Sequence, residues 1–221
     1  IRTPGSTSEK PVTDISFLQG DRRRFAFQGS FAKAVGPKSG VMISGASGGI
    51  HGAPDAESAV FRHYLARYHR SLASGGVLSL GIRALRDRDG TRQSESDERI
   101  GNRETDTATV SVGVNGLPLG SRTAVSPTVY YRSGISRFLR NRTRKSLDDD
   151  GIGFLVVSTT DWDSSRLILT LSSDLRTFDS RIHDRSWQRD VSRLSGQWER
   201  ESSRWRFLVS GGTLLSSHYG T

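Results

Sequence analysis

The chain of 221 residues contains no cysteine and a single methionine. Without cysteine, neither a disulfide framework nor a thiolate metal site can form. The sequence also lacks any apolar run of about 20 residues, the length that a transmembrane helix needs. If the chain crosses a membrane, strands must do so. Apolar residues make up 33% of the chain, which is low for a large soluble core but suits strands with one polar face.

Five short turn signals recur along the chain, near Pro37, Ala73, Pro118, Asp163 and Ser202. Each lies between two stretches that alternate apolar residues with small or polar ones, and long polar segments separate one such pair from the next. Tight turns at one end and long connections at the other are typical of an antiparallel up-and-down β-barrel, above all one in an outer membrane. We therefore predict an all-β, transmembrane barrel of hairpins, or a segment of one.

The alternation has a period of two, which places successive side chains on opposite faces of a sheet. A membrane barrel turns its apolar face to lipid and its polar face to the lumen, and a soluble barrel or sandwich does the reverse. Small residues on the polar face and tryptophans near the tight turns (Trp162, Trp198 and Trp205) favour the membrane arrangement. The side chains predicted to face lipid are Phe25, Phe27, Leu78, Leu80, Leu169, Leu171, Phe207 and Val209.

The net charge is +9, and arginine accounts for most of the basic residues. These arginines are spread through the strands and loops instead of clustering on one helix, so we do not expect a nucleic-acid partner. Confined arginines attract anions because water screens them poorly. The predicted anion-attracting residues of the lumen are Arg83, Arg132, Arg166 and Arg206.

Two domains of very different kind are predicted. Residues 1–11 are rich in proline, serine and threonine, which indicates a disordered lead-in or linker. Residues 12–221 are predicted to form the barrel, with Thr13–Leu18 as a first strand and a closing strand missing. Since bacterial barrels keep an even strand number, we expect a fragment of a larger barrel of about 12 to 16 strands. The apolar pattern of residues 54–73 is compatible with either a strand or a helix, and the hairpins on both sides of this segment favour a strand.

The segment Ser44–His51 (SGASGGIH) resembles the nucleotide-binding turn of short-chain dehydrogenases. The resemblance implies glycines that let the backbone approach a pyrophosphate at a helix N-terminus, in a soluble α/β protein. His51 replaces the last glycine of that pattern, and no Tyr-x-x-x-Lys pair follows. A glycine-rich strand end is the preferred interpretation, with no cofactor.

Acidic and histidine residues lie in three predicted loops, at Asp87 and Asp89, at Asp148–Asp150, and at His183 and Asp184. They resemble the loop rim of omptin proteases, in which an Asp pair faces an Asp–His pair. That resemblance implies a water polarised by Asp87, Asp89, His183 and Asp184, with the histidine as general base. Adjacent residues of a strand point to opposite faces, so the order His183–Asp184 departs from the family. We expect no catalytic site and, at His63 and His69, no metal site.

A basic loop is predicted between Arg140 and Lys145. Guanidinium forks bind phosphate oxygens, so a loop facing outward would bind lipopolysaccharide. The residues concerned are Arg140, Arg142, Arg144 and Lys145.

The strands Trp187–Leu194 and Trp198–Trp205 carry several arginines. In this they resemble the barrels of surface lipoprotein assembly modifiers. The resemblance implies a C-terminal barrel that helps to export or display partners, often behind a helical-repeat periplasmic domain. The predicted function is passage or export of a polar or anionic solute, a polymer or a secreted partner across the bacterial outer membrane. Membrane lipid and lipopolysaccharide are the expected surroundings, and an enzyme is the less favoured class.

Overall fold

The computed structural model describes residues 10–20, 24–50, 58–91, 101–140, 143–180, 185–201 and 206–220. Throughout these ranges the regular elements are all strands, so the all-β prediction is confirmed and the α/β alternative is wrong. In chain order the strands are β1 (Val12–Gly20), β2 (Arg24–Gly36), β3 (Ser39–Ile50), β4 (Ser58–Ser71), β5 (Val77–Thr91), β6 (Gly101–Asn115), β7 (Leu117–Pro118), β8 (Thr123–Arg140), β9 (Thr143–Trp162), β10 (Ser165–Ser180), β11 (Arg185–Glu201) and β12 (Arg206–Gly220). No described helix has the length and apolar character needed to span a membrane.

All the strands belong to one antiparallel up-and-down sheet. Each long strand pairs with the long strands that precede and follow it in the sequence, so β6 pairs with β8. The two-residue β7 pairs with β8 beside the turn that follows β6. Strands β1 and β12 form the two edges of the sheet, and no pairing joins them among the described residues. The predicted first strand is confirmed, since β1 pairs with β2 over its whole length.

Four of the five turn signals mark the ends of hairpins. Residues 37–38 connect β2 to β3, residues 72–76 connect β4 to β5, and residues 163–164 connect β9 to β10. Gly75 has φ +91°, a left-handed conformation that a residue with a Cβ adopts only at a cost. The fourth of these signals, at Pro118, lies in the short strand β7, which is part of the connection between β6 and β8. The fifth, at Ser202, lies outside the described residues.

The strand register confirms that apolar residues share one face, which we call the apolar face. Tyr68, Leu80, Val112, Val129 and Phe154 lie side by side on five neighbouring strands. Leu171 is likewise opposite Val156 on one side and Leu194 on the other. These side chains contact no second layer: Leu80, Leu169 and Leu171 are each exposed by more than 40%, and no described apolar residue is buried.

The apolar residues occupy different positions along different strands. In β2, Phe25 and Phe27 lie near the end joined to β1, whereas in β10, Leu167 and Leu169 follow directly after the turn from β9. A band of constant height crosses the strands diagonally in this way when the strands are tilted, as they are in membrane barrels.

The opposite face, which we call the polar face, is the more crowded one. Added Cβ atoms at Gly48, Gly151 and Gly212 would come within 3 Å of neighbouring atoms. On the apolar face, a Cβ at Gly45 would meet nothing closer than 3.4 Å and one at Gly211 nothing within 4 Å, although one at Gly49 would lie 2.8 Å from the Ala59 carbonyl oxygen. Side chains converge on the concave side of a curved sheet and diverge on the convex side. The polar face is therefore the concave one.

Two segments with sequence features unfavourable to a strand belong to strands in the structure. Chain 54–73 contains β4, where Tyr64 and Ala66 lie on the apolar face opposite Ala84 and Ile82. Pro127 lies within β8 and cannot donate a backbone hydrogen bond. The pairing of β8 with β6 ends at Thr128, and its pairing with β7 begins at Val125, so Pro127 falls in the interruption of that ladder.

The predicted long loops are shorter than expected, because their polar residues continue the strands. Asp87 and Asp89 lie in β5, and Asp148–Asp150 lie in β9. Arg140 ends β8, while Arg144 and Lys145 belong to β9, so the prediction of a basic loop is wrong for these residues. Strands of 18 and 20 residues exceed the roughly 9–11 residues that cross a bilayer. Their charged ends extend beyond the apolar band.

The exposure of Leu169 leads to a stability prediction. Leu169→Arg should lower the free energy of unfolding from lipid vesicles by about 2–4 kcal/mol if the site lies near the bilayer midplane. Thr170→Arg is the matched control, because Thr170 is the next residue of β10 and lies on the polar face. Denaturant unfolding of both variants measures the difference, and equal losses would contradict the assignment of the two faces.

Candidate functional site: the arginine-bearing polar face

A row of arginines crosses the polar face at one level of the strand register. Arg83 in β5 and Arg132 in β8 are both opposite Thr109. Arg132 and Arg176 in turn are both opposite Gly151 in β9. On β11, Arg189 is directly opposite Arg176. The alternation of the strands therefore gathers side chains that are far apart in sequence into one basic row.

Two aspartates neutralise part of this row. Asp149 Oδ2 lies 3.5 Å from Arg132 Nη2 and 3.8 Å from Arg176 Nη1. Arg176 Nη2 also donates a hydrogen bond of 2.6 Å to Asp174 Oδ2. The Asp149 side chain is only 13% exposed, so its two arginine neighbours offset a charge that is costly to bury.

A tyrosine ties three strands together beside this cluster. The Tyr130 hydroxyl in β8 and the Asp174 carboxylate in β10 meet above Gly153 of β9, so the two side chains bridge over that strand. Gly153 lies beneath the tyrosine ring, and a Cβ there would collide with the ring and approach Asp174 Oδ1 to 2.8 Å. The absent side chain of Gly153 is what allows the bridge to form.

The predicted lumen arginines differ in their surroundings. Arg83 and Arg132 lie on the polar face as expected, and so does Arg166, which donates a 2.6 Å hydrogen bond to Asp161 beside the β9–β10 turn. Arg206 begins β12, and its side chain lies outside the described part of the structure. Within the described ranges, no carboxylate lies within 4.0 Å of Arg83. Attraction of anions by these residues stays a prediction.

Two further arginines of the polar face were missed by sequence reasoning. Arg189 and Arg193 line a cavity of about 330 Å³ with Ser172, Asp174, Arg176 and Val191. Neither arginine pairs with a carboxylate in the part of the chain that the structure describes. The signal for them was the period-two spacing within Trp187–Leu194, which indicates that both residues share a face.

A histidine and an aspartate meet elsewhere on the polar face. His63 Nε2 in β4 lies 2.9 Å from Asp87 Oδ1 in β5, and the Phe61 ring packs near the imidazole. The sequence analysis grouped Asp87 with Asp89, His183 and Asp184, and it did not predict the pairing with His63. Among the described side chains, no three of His, Cys, Asp and Glu are arranged to hold a metal ion.

The omptin-like residues are not brought together by the described structure. Asp87 is engaged with His63, and the side chain of Asp89 lies outside the described part. His183 and Asp184 also lie outside the described residues, in the connection that follows β10. Strands β5 and β10 are four positions apart in the sheet order. The hydrolase alternative therefore gains no support from the described geometry.

The glycine-rich segment is part of a strand, as the preferred interpretation had it. Residues 44–50 belong to β3 and are paired on both sides by β2 and β4. No helix follows within the described chain, so the nucleotide-binding alternative is wrong. A Cβ at Gly48 would lie 2.6 Å from the Phe61 ring, so the glycine leaves the space that this ring occupies. His51 lies outside the described residues.

The apolar face becomes charged where the strands leave the apolar band. Arg137 Nη1 donates a 2.7 Å hydrogen bond to Asp106 Oδ2, and Arg86 pairs with Glu104. These four side chains project from the same face as Leu80 and Val112, farther along the strands towards the connections of β5–β6 and β8–β9. Ion pairs of this kind belong in water, and so they mark the edge of the apolar band.

The bridge over Gly153 leads to a second stability prediction. Gly153→Ala should lower the free energy of unfolding by about 1–3 kcal/mol, because the added methyl overlaps the Tyr130 ring. Gly211→Ala in β12 is the control, since a Cβ there meets nothing within 4 Å. The control should be neutral or slightly stabilising, because alanine restricts the unfolded chain. Equal effects in denaturant unfolding would show that the bridge contributes nothing.

No protein-family model matches this chain, and no curated protein matches it. A search of solved structures finds a likeness to the crystal structure of the siderophore receptor PiuA from Acinetobacter baumannii. The TM-score is 0.52 at 8% sequence identity, and the match covers 96% of this chain and 47% of the receptor chain. This chain therefore spans about half the length of that receptor. At this identity the likeness shows the fold: strands arranged as in an outer-membrane receptor barrel.

Proposed function

We propose that the chain forms part or all of a barrel wall in the bacterial outer membrane, and that polar or anionic solutes pass along its arginine-bearing face. The observation that carries the proposal is the separation of chemistry between the two faces. Large apolar side chains on the convex face, such as Leu80, Ile82 and Leu169, are exposed by more than 40%, as lipid contact requires. The concave face holds the arginine row.

Electrostatics favour anions over cations on this face. Arg132 and Arg176 are held by Asp149 and Asp174, whereas Arg83 has no described carboxylate within ion-pair distance. Charges on a concave surface of low dielectric focus the field and raise the local concentration of counter-ions. The likeness to a siderophore receptor supports a transport role for this chain as well.

Two further roles remain predictions. Export of a secreted partner, as in the surface lipoprotein assembly modifiers, rests on the arginine-rich β11 and β12 alone. Lipopolysaccharide binding rests on the basic residues where β8 meets β9. Arg140 is directly opposite Thr143 there, so these residues lie at the tip of a hairpin built from the longest strands. Arg142 lies outside the described residues.

Ion selectivity in a planar bilayer tests the proposal. The protein should conduct with a preference for anions, and Arg83→Ser combined with Arg166→Ser should shift the reversal potential towards cation selectivity. A matched control replaces Arg62 and Arg88 with serine. These two arginines lie on the apolar face and should leave the reversal potential unchanged. Absence of conductance, or an equal shift in both double variants, would contradict the proposal.

A further inference from the structure

The β10–β11 pairing places two guanidinium groups directly opposite each other. Arg176 and Arg189 are register partners on the polar face. Like charges in this position destabilise a sheet. Asp174 hydrogen-bonds Arg176 and so compensates one of the two charges. Arg189 has no such partner in the described chain, and its Nε is buried without a hydrogen bond.

The unsatisfied Arg189 lines a cavity that holds further positive charge. The walls are Ser172, Asp174 and Arg176 from β10 and Arg189, Val191 and Arg193 from β11. Three guanidiniums and one carboxylate give the lining residues a formal net charge of +2. Asp149 lies outside the lining and is shared between Arg176 and Arg132. Arg193 is exposed and is opposite Ser172, whose hydroxyl can donate a hydrogen bond. Every wall residue belongs to the polar face.

From this geometry we infer that the β10–β11 cavity, which Arg189 lines, is a binding site for a dianionic oxyanion such as a phosphate group. A dianion matches the net charge of the cavity. A guanidinium fork binds two phosphate oxygens at once, and a buried Nε–H needs an acceptor. The inference rests on the proposed function and deepens it, because it names phosphate-bearing solutes as the class that the polar face takes up.

The alternative occupant is a monocarboxylate solute. It would neutralise only one of the two uncompensated charges and offers a single planar pair of oxygens. A phosphate group presents three terminal oxygens to the donors that line the cavity, which are Arg176, Arg189, Arg193 and Ser172. Phosphate should therefore bind more tightly than acetate at equal ionic strength.

Binding of inorganic phosphate to the detergent-solubilised protein tests the inference, with ionic strength held constant by chloride. Phosphate should bind and raise the midpoint of denaturant unfolding, since a ligand stabilises the state that binds it. Arg189→Gln should weaken phosphate binding at least tenfold and abolish this stabilisation. Without phosphate, the same variant should be no less stable than the wild type, because it removes the repulsion from Arg176.

Arg200→Gln is the control, since Arg200 lies on the apolar face of the same strand, opposite Ser165. It should bind phosphate as the wild type does. If Arg189→Gln does not fold, Arg193→Gln replaces it and should also weaken binding. Equal binding of phosphate and acetate, or equal affinity in the polar-face variant and the control, would overturn the inference. Binding with no conductance in bilayers would retain the site and remove the transport proposal, so the two failures are distinguishable.

Discussion

The register of the antiparallel sheet is the constraint on which the rest of the structure depends. Since side chains alternate with a period of two, a slip of one residue would move every apolar side chain of a strand to the polar face. The apolar side chains stay on one face across all ten pairings between the long strands of the sheet. The same register that aligns Leu80 with Val112 also aligns Arg176 with Arg189. The separation of an apolar from a polar face and the alignment of the arginines are therefore two consequences of one pattern of hydrogen bonds.

The fold does not rely on a dry core. No described apolar residue is buried, so backbone hydrogen bonds and cross-strand pairs within the sheet hold it together. On the concave face, the Tyr130–Asp174 bridge and the pairing of Asp149 with two arginines link β8, β9 and β10. Glycines on that face leave the space for such links. Among the described residues, no carboxylate pairs with Arg189, and the proposed oxyanion would supply that partner.

Much of the fold followed from the sequence because strand alternation and turn chemistry are local signals. The turns at Pro37 and Asp163 and the apolar face of β10 were predicted from a few neighbouring residues. The extent of β8 and β9 was not, since polar strand ends such as Asp148–Asp150 have the composition of loops. The pairings His63–Asp87 and Arg176–Arg189 depend on the register between strands, and spacing within one strand carries no information about it.

Fluorescence quenching by lipid tests the assignment of the two faces most directly. Trp198 lies on the apolar face opposite Leu167 and Val209, whereas Trp187 lies on the polar face and stacks on Phe178 at a centroid distance of 5.4 Å. Variants that retain only one of these tryptophans would be reconstituted in vesicles whose lipids are brominated near the headgroups. Strong quenching of Trp198 and weak quenching of Trp187 is the predicted result. Equal quenching of both tryptophans, or quenching of Trp187 alone, would contradict a lipid-facing apolar side.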